Sequence, residues 1–388
     1  MNHKLRNTLQ SPQVIFTIIA LLFTTVFYSC KDGGSENEIL IGEYASLTGD
    51  KATFGQSLHN GLVMAVEEIN KNGGVLGKQI KLVSEDDQGK TNEVQTVVQK
   101  LINRDKVVAV VGEVASSLSL AAAPICQQSN IPMVTPASTN PEVTNVGDYI
   151  FRVCFIDPFQ ATVMSKFALN SMKVKKVALL IDQKNAYSTG LAENFRRVFT
   201  EMGGEIVAEQ KYSAGDKDFK AQLTSLKAAN PEAIFVPGYY TELNLISIQA
   251  REIGITVPLF GGDGWESEKL LEGKAKDALE GSFFSTHVSI EDPNPKIQDF
   301  IKKYTEKYGS APDAMSFLGY DAGMILFDAI KRAGSTEGQK IKDALASTVN
   351  YDGVTGTITI NDQRNAIKPA VVMEIKDGKF TYKETIAP

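Results

Sequence analysis

From residue 39 to about residue 308 the chain alternates short β-rich runs with longer stretches of helical period, and few folds accept that rhythm. Residues 39–44 read as a strand. Residues 55–71 read as a helix, with Leu58, Leu62, Ala65, Val66 and Ile69 on one face. Asn72-Gly73-Gly74 stops that helix as a left-handed C-terminal cap would. Strands at 79–85, 107–112 and 131–135 then alternate with helices at 91–103 and 117–129. The pattern repeats with strands at 176–182, 205–211, 232–237 and 258–261, and with helices near 159–172, 188–202, 219–229 and 241–253. A strand near 281–285 and a helix at 295–308 follow.

Strand–helix alternation implies α/β architecture with parallel sheets covered on both faces, the doubly wound class. One sheet does not naturally hold so many strands, whereas two similar lobes do. The length of 388 residues suits two domains. Open α/β sheets bind ligands at the carboxyl ends of their strands, so two lobes facing each other there enclose an interdomain cleft. The net charge of −6 argues against a nucleic-acid groove, which needs a basic stripe to replace counterions.

The first residues have a different character. Lys4 and Arg6 precede an unbroken run of apolar residues and threonine at 14–27, too short to span a bilayer comfortably and suited to a signal-peptide core. Ser29-Cys30 and a polar, glycine-containing stretch follow. A small residue before a Cys, with a flexible tether after it, resembles a bacterial lipoprotein cleavage site, although Phe27 and Tyr28 depart from the usual Leu and small residue. The expectation is a signal peptide at 1–29, a tether at 30–38 and lipid on Cys30. The alternatives are an ordinary secretory signal with an incidental Cys, or a retained anchor. Cys126 and Cys154 sit in apolar contexts and read as buried free thiols, with a bridge as the alternative.

A set of short motifs now has a recognisable order. They are GEYASLTG (42–49), Phe54-Gly55, EINKNGG (68–74), VGEVASS (111–117), IPMVTPASTNPE (131–142), YSTG (187–190), VPGYY (236–240) and GGDGW (261–265). Together they resemble the type I periplasmic binding proteins, in the branched-chain amino-acid (Leu/Ile/Val)-binding branch, over about residues 39–380. The resemblance implies two lobes joined by a hinge of three segments, with lobe one at 39–156 and 286–365 and lobe two at 157–285 and 366–388. It also implies an extracytoplasmic substrate-binding lipoprotein of the cell envelope. Its partners would be an amino-acid ligand, an inner-membrane ABC permease and, through the lipid, the membrane. A monomer with no cofactor, no metal and no catalytic residue is expected.

A free amino acid brings a carboxylate and an ammonium, and each needs charge or several hydrogen bonds once buried. The 114–117 segment lies between a strand and a helix, where free amides favour an anion. The resemblance assigns the carboxylate to Ser116 and to Thr139 of the Pro136–Thr139 turn, which also carries Ala137 and Ser138. Read alone, Ser116 is a plain helix cap. The ammonium falls to Asp263 between its glycines, with the Ala137 carbonyl as a second acceptor; the plain alternative for Asp263 is a solvated turn aspartate. Phe54, Tyr187 and Tyr240 match wall positions, Val114 and Ala115 the side-chain pocket, and Trp265 reads as a cleft-margin residue. Glu85-Asp86-Asp87 reads as a solvated strand end.

An enzyme is the contrasting class. Only His59 and His287 lie beyond the leader, and no nucleophile elbow, His-Glu-x-x-His or phosphate loop is present. A ligand-sensing module on the same fold is the other alternative.

Overall fold

The computed structural model describes residues 37–387, so the expected signal peptide and Cys30 lie outside the described residues. The first lobe begins with β1 (Glu38–Ala45), α1 (Ala52–Lys71), β2 (Gln79–Asp86), α2 (Thr91–Asn103) and β3 (Ala109–Val111). It continues through α3 (Ser116–Gln128), β4 (Met133–Thr135), α4 (Glu142–Asn145) and β5 (Ile150–Arg152). These strands form one sheet in the order β2-β1-β3-β4-β5. The pairs β1–β3, β3–β4 and β4–β5 are parallel.

The second lobe opens with α5 (Asp157–Asn170), β6 (Lys176–Asp182), α6 (Ala186–Glu201), β7 (Glu205–Tyr212) and α7 (Lys220–Ala228). Next come β8 (Ala233–Val236), α8 (Tyr240–Glu252), β9 (Leu259–Gly261), α9 (Ala275–Ala278) and β10 (Ser282–Thr286). The chain returns to the first lobe through α10 (Pro295–Tyr308), α11 (Ala314–Ala333) and α12 (Gly338–Ala346). A small antiparallel sheet of β11 (Tyr351–Gly353), β12 (Gly356–Ile360) and β13 (Ala366–Ile367) follows. The last hairpin, β14 (Ala370–Lys376) and β15 (Lys379–Ile386), completes a sheet in the order β15-β14-β10-β9-β8-β6-β7.

The doubly wound architecture is as the alternation implied, with one departure. β14 runs antiparallel to both β10 and β15, so the second sheet is mixed at that edge. Ala366 and Ile367 pair with Ile360 and Thr359. They therefore belong to the small sheet, and the last passage between lobes occupies Lys368 and Pro369.

Local signals account for the helix ends. Gly73 and Gly74 after α1 take positive φ (98° and 75°), and a Cβ on Gly74 would lie 1.9 Å from the Lys78 carbonyl oxygen. α11 starts at a capping box in which Asp313 accepts from the Ser316 amide at 3.1 Å, and it ends at Gly334 with φ 59°. This helix escaped the periodicity because it is buried nearly all round. It crosses α1 backbone to backbone: a Cβ on Gly61 would sit 1.8 Å from Ser316 O, and one on Gly319 would sit 2.3 Å from Leu58 O.

Burial is continuous from lobe to lobe. Phe54, Leu58 and Met315 of the first share one apolar cluster with Tyr187, Tyr239 and Phe284 of the second. Hydrogen bonds also cross the cleft. Ser117 Oγ accepts from the Ala186 amide at 3.0 Å, and Asn140 Nδ2 donates to Ala186 O at 2.7 Å. The lobes are therefore closed on each other. Cys126 and Cys154 are free and buried, each pushed up to about 12 by burial. Among the described residues no helix is long and apolar enough to cross a membrane.

Candidate functional site

Strand ends build the site. The turns after β3, β4 and β9 and the starts of α6 and α8 converge between the lobes. α1 and α11 add Phe54 and Met315 from the first lobe. Together they enclose a tight cavity of about 10 Å³, room for about one water molecule, lined by Phe54, Val114, Ala137, Thr139, Tyr187, Tyr239, Asp263, Gly264 and Met315. That is smaller than the roughly 300–1,000 Å³ of pockets for drug-sized ligands.

Six of the expected residues thus meet at one cavity: Phe54, Val114, Ala137, Thr139, Tyr187 and Asp263. The remaining four stand beside it. Ala115 is buried at the cap of α3. Ser116 Oγ accepts from the Asn140 amide at 3.3 Å. Ser138 Oγ lies 2.7 Å from Ser119 Oγ and donates toward the Glu113 and Val114 carbonyls, locking two turns together. Tyr240 donates across the cleft to Asp50 O at 2.8 Å, and its ring meets Phe54 edge-on at 4.9 Å. Its neighbour Tyr239 faces the cavity instead, stacked on Tyr187 at 5.1 Å. The reason is local: Tyr239 is extended (φ −98°, ψ 160°) just before α8, and Tyr240 is the first helical residue.

Polar groups in the site fall into two sets. Thr139 Oγ1 is buried without a hydrogen-bond partner, as are both carboxylate oxygens of Asp157. Thr139 lies near enough to favour the charged form of Asp157 without reaching hydrogen-bond geometry, but burial dominates and pushes that acid up to about 8. Arg152 is fully buried and braces the same turn, donating to Ser138 O, to Asn140 O at 2.7 Å and to Asn365 Oδ1 at 2.5 Å.

The other set centres on Asp263, which is 4% exposed. Gln160 Nε2 donates to Oδ1 at 3.0 Å, and His287 Nε2 stands 3.1 Å from Oδ2. Tyr187 Oη accepts from the Gly264 amide at 3.2 Å, which leaves its own proton to donate. The flanking glycines are required by crowding. A Cβ on Gly262 would lie 2.0 Å from Gln160 Oε1, and one on Gly264 would lie 2.6 Å from Gly238 O.

Two expectations are corrected. Trp265 is fully buried, its indole donating to Val236 O at 2.9 Å, so it wedges the turn from beneath instead of edging the cleft. Asp87 is also fully buried and not a solvated strand end. Ser46 Oγ stands 2.9 Å from Asp87 Oδ1 and 2.6 Å from Glu113 Oε1. A hydroxyl has one proton to give, so one of these carboxyls must carry its own. Burial and the Glu113 charge push Asp87 up to about 7. Glu113 Oε2 in turn accepts from the Ala115 amide at 2.7 Å, holding the turn that carries Val114.

The arrangement offers a buried acid with the Tyr187 hydroxyl beside it, the unpartnered Thr139 hydroxyl in the other set, and aromatic walls. It matches the charge pattern of a small zwitterion. Among the described residues no group of three His, Cys, Asp or Glu is placed to hold a metal. Gln160, Tyr239, His287 and Met315 were missed from sequence. His287 was visible only as one of two histidines among the described residues, and the others carried no local signal.

The profile of the family described as periplasmic binding protein matches residues 38–379. The Leu/Ile/Val-binding protein homolog 3 of Brucella melitensis is 32% identical over 89% of this chain and 94% of its own. The crystal structure of a leucine-binding protein, LivK, from Thermotoga maritima is 40% identical with a TM-score of 0.86, covering 90% of this chain and 99% of that one. The branched-chain amino-acid transporter substrate-binding protein LivJ of Streptococcus pneumoniae, solved with isoleucine, is 34% identical with a TM-score of 0.85, covering 90% and 100%.

Proposed function

The chain belongs to the periplasmic binding protein family, and from that premise we propose that it is the extracytoplasmic substrate-binding component of an ABC transporter, capturing a free amino acid of branched-chain or related type. One observation carries the reading. Asp263 is a buried acid at the wall of this closed interlobe cavity, and its side-chain partners are a neutral amide and a buried imidazole. A buried charge without a counter-ion is costly, and an ammonium from the ligand answers it.

Thr139, with the first turn of α3, is the group for the carboxylate. The cavity is sealed by contacts from both lobes, so ligand enters with the lobes apart. Touching both walls, it favours the closed form by its differential contacts. The closed form is then what the permease receives, and lipid on Cys30 would keep it at the membrane.

A thermal-shift screen of the free amino acids tests the proposal, because a ligand that binds only the folded chain raises its melting temperature. A rise with Leu, Ile or Val that is absent with their carboxamides is expected. No rise with any amino acid would sink the reading.

A further inference from the structure

The partners of Asp263 have their protons assigned by chemistry. Gln160 Oε1 accepts from the Asp263 amide and from the Ser285 hydroxyl, both at 2.9 Å. The Nε2 end must therefore be the one facing the carboxylate. An ionised carboxylate only accepts, so His287 Nε2 carries a proton where it meets Asp263 Oδ2 at 3.1 Å. Nδ1 is buried with no partner, and a second proton there would be a buried N–H without an acceptor. The ring is thus a neutral Nε2–H tautomer. Burial holds its pKa below the ordinary value, against the pull of Asp263.

The same ring stands at the meeting point of the three passages between lobes. His287 follows β10 on the second passage. Phe155, on the first, stacks against it with ring centres 3.9 Å apart and planes at 25°. Lys368, on the third, bears on it electrostatically. We propose that His287 is the positioning residue of the ammonium subsite: a neutral donor, braced by Phe155, that aims the Asp263 carboxylate at the ligand and ties occupancy of the cleft to the hinge. This rests on the reading of the ligand as an ammonium-bearing amino acid.

A consequence distinguishes this role from simple packing. A protonated ring pairs with Asp263 itself and competes with the ligand, so affinity falls as pH drops through the His287 pKa, on the acid side of the ordinary 6.5. The other groups at this corner are Asp263, Asp157 from α5, Cys154 from the first passage, Glu266 beyond the Asp263 turn and Lys368. Burial holds Asp157 and Glu266 up at about 8 and Cys154 at about 12, so all three keep their protons through the acid range. Lys368, pushed down to about 8 by burial, keeps its charge there. The acid limb is left to His287, and His287→Gln tests this because an amide donates without titrating.

The experiment is calorimetry of the full chain with L-leucine, L-isoleucine and L-valine between pH 5 and 8, for wild type, His287→Gln and His287→Phe. Wild-type affinity should fall on the acid side. His287→Gln should lie within about threefold of wild type at pH 7.5 and lose the acid limb, whereas His287→Phe, which keeps a ring but no donor, should lose about tenfold or more at every pH. Melting temperatures separate lost binding from lost folding, and the His287→Gln pH profile stands even if the Phe variant does not fold. An acid limb unchanged in His287→Gln would overturn the role of His287 alone. Absence of binding by wild type to all three amino acids would overturn the ligand reading and this role with it.

Discussion

Glu266 of the second lobe accepts a 2.9 Å hydrogen bond from the backbone amide of Ala314, the first residue of α11 in the other lobe. A carboxyl group from one wall of the cleft thus caps a helix of the other, and its second oxygen is taken by Thr286 of its own lobe. Glu266→Ala leaves the Ala314 amide without its acceptor in the closed form only. Ligand affinity should fall by about 1–3 kcal/mol, while Glu266→Gln, which still accepts, should stay near wild type. Calorimetry on both variants, with small-angle scattering of the ligand-bound forms, checks this. Equal affinity in Glu266→Ala would show that the contact does not bias closure.

Asp263→Asn keeps the shape of the turn and removes the charge facing the ligand. Breaking a buried ion pair from one side costs about 3–5 kcal/mol, or roughly two to three and a half decades in affinity. The melting temperature of the free variant should change far less than its binding. A loss below about tenfold in a folded variant would place the counter-charge elsewhere or give the ligand no ammonium.

Thr139 and Ser116 were expected to act together on the carboxylate, and the structure gives them different surroundings. Thr139 Oγ1 is buried without a partner and lines the cavity, whereas Ser116 Oγ accepts from the Asn140 amide and is not among the residues lining it. Thr139→Val should weaken binding by about 1–3 kcal/mol with little effect on folding. Ser116→Ala should lower stability more than affinity. Paired melting and calorimetric measurements decide it, and the opposite ranking would return the main role to Ser116.

Three buried acids make stability pH-dependent. Asp87 is raised to about 7, and Asp157 and Glu266 to about 8, by burial first in each case. Each binds its proton more tightly folded than unfolded, so its contribution is fully present near pH 4 and is lost as pH rises toward 8. His287, with its pKa lowered, opposes this between its folded value and 6.5. Asp87→Asn should therefore flatten the loss of melting temperature between pH 5 and 8 relative to wild type. Parallel curves for the two proteins would mean that the extra proton of the Ser46–Asp87–Glu113 set is not on Asp87.

Cys30 lies outside the described residues, and its lipidation is tested in cells. Cys30→Ser should release the chain from membranes or block its processing. Identical fractionation and mobility of wild type and variant would remove the anchor.

The amino-acid sequence by itself determined the strand–helix rhythm, the glycine stop after α1 and the placing of Val114, Ala137, Thr139 and Asp263. Each of these lies in a turn directly after a strand, and in a doubly wound sheet that local position already faces the cleft. The long helix α11 was less legible, because burial nearly all round erases the one-sided period that marks an element. Tertiary structure alone decided that Tyr239 and not Tyr240 lines the cavity, since one residue at the start of α8 separates extended from helical backbone. It alone brought Gln160 across 103 positions and His287 across 24 onto Asp263, and Met315 from the far lobe onto the same cavity. A side chain's burial and hydrogen-bond partners belong to neighbours that folding brings together, so no pattern near Asp263 in the chain announces what holds it.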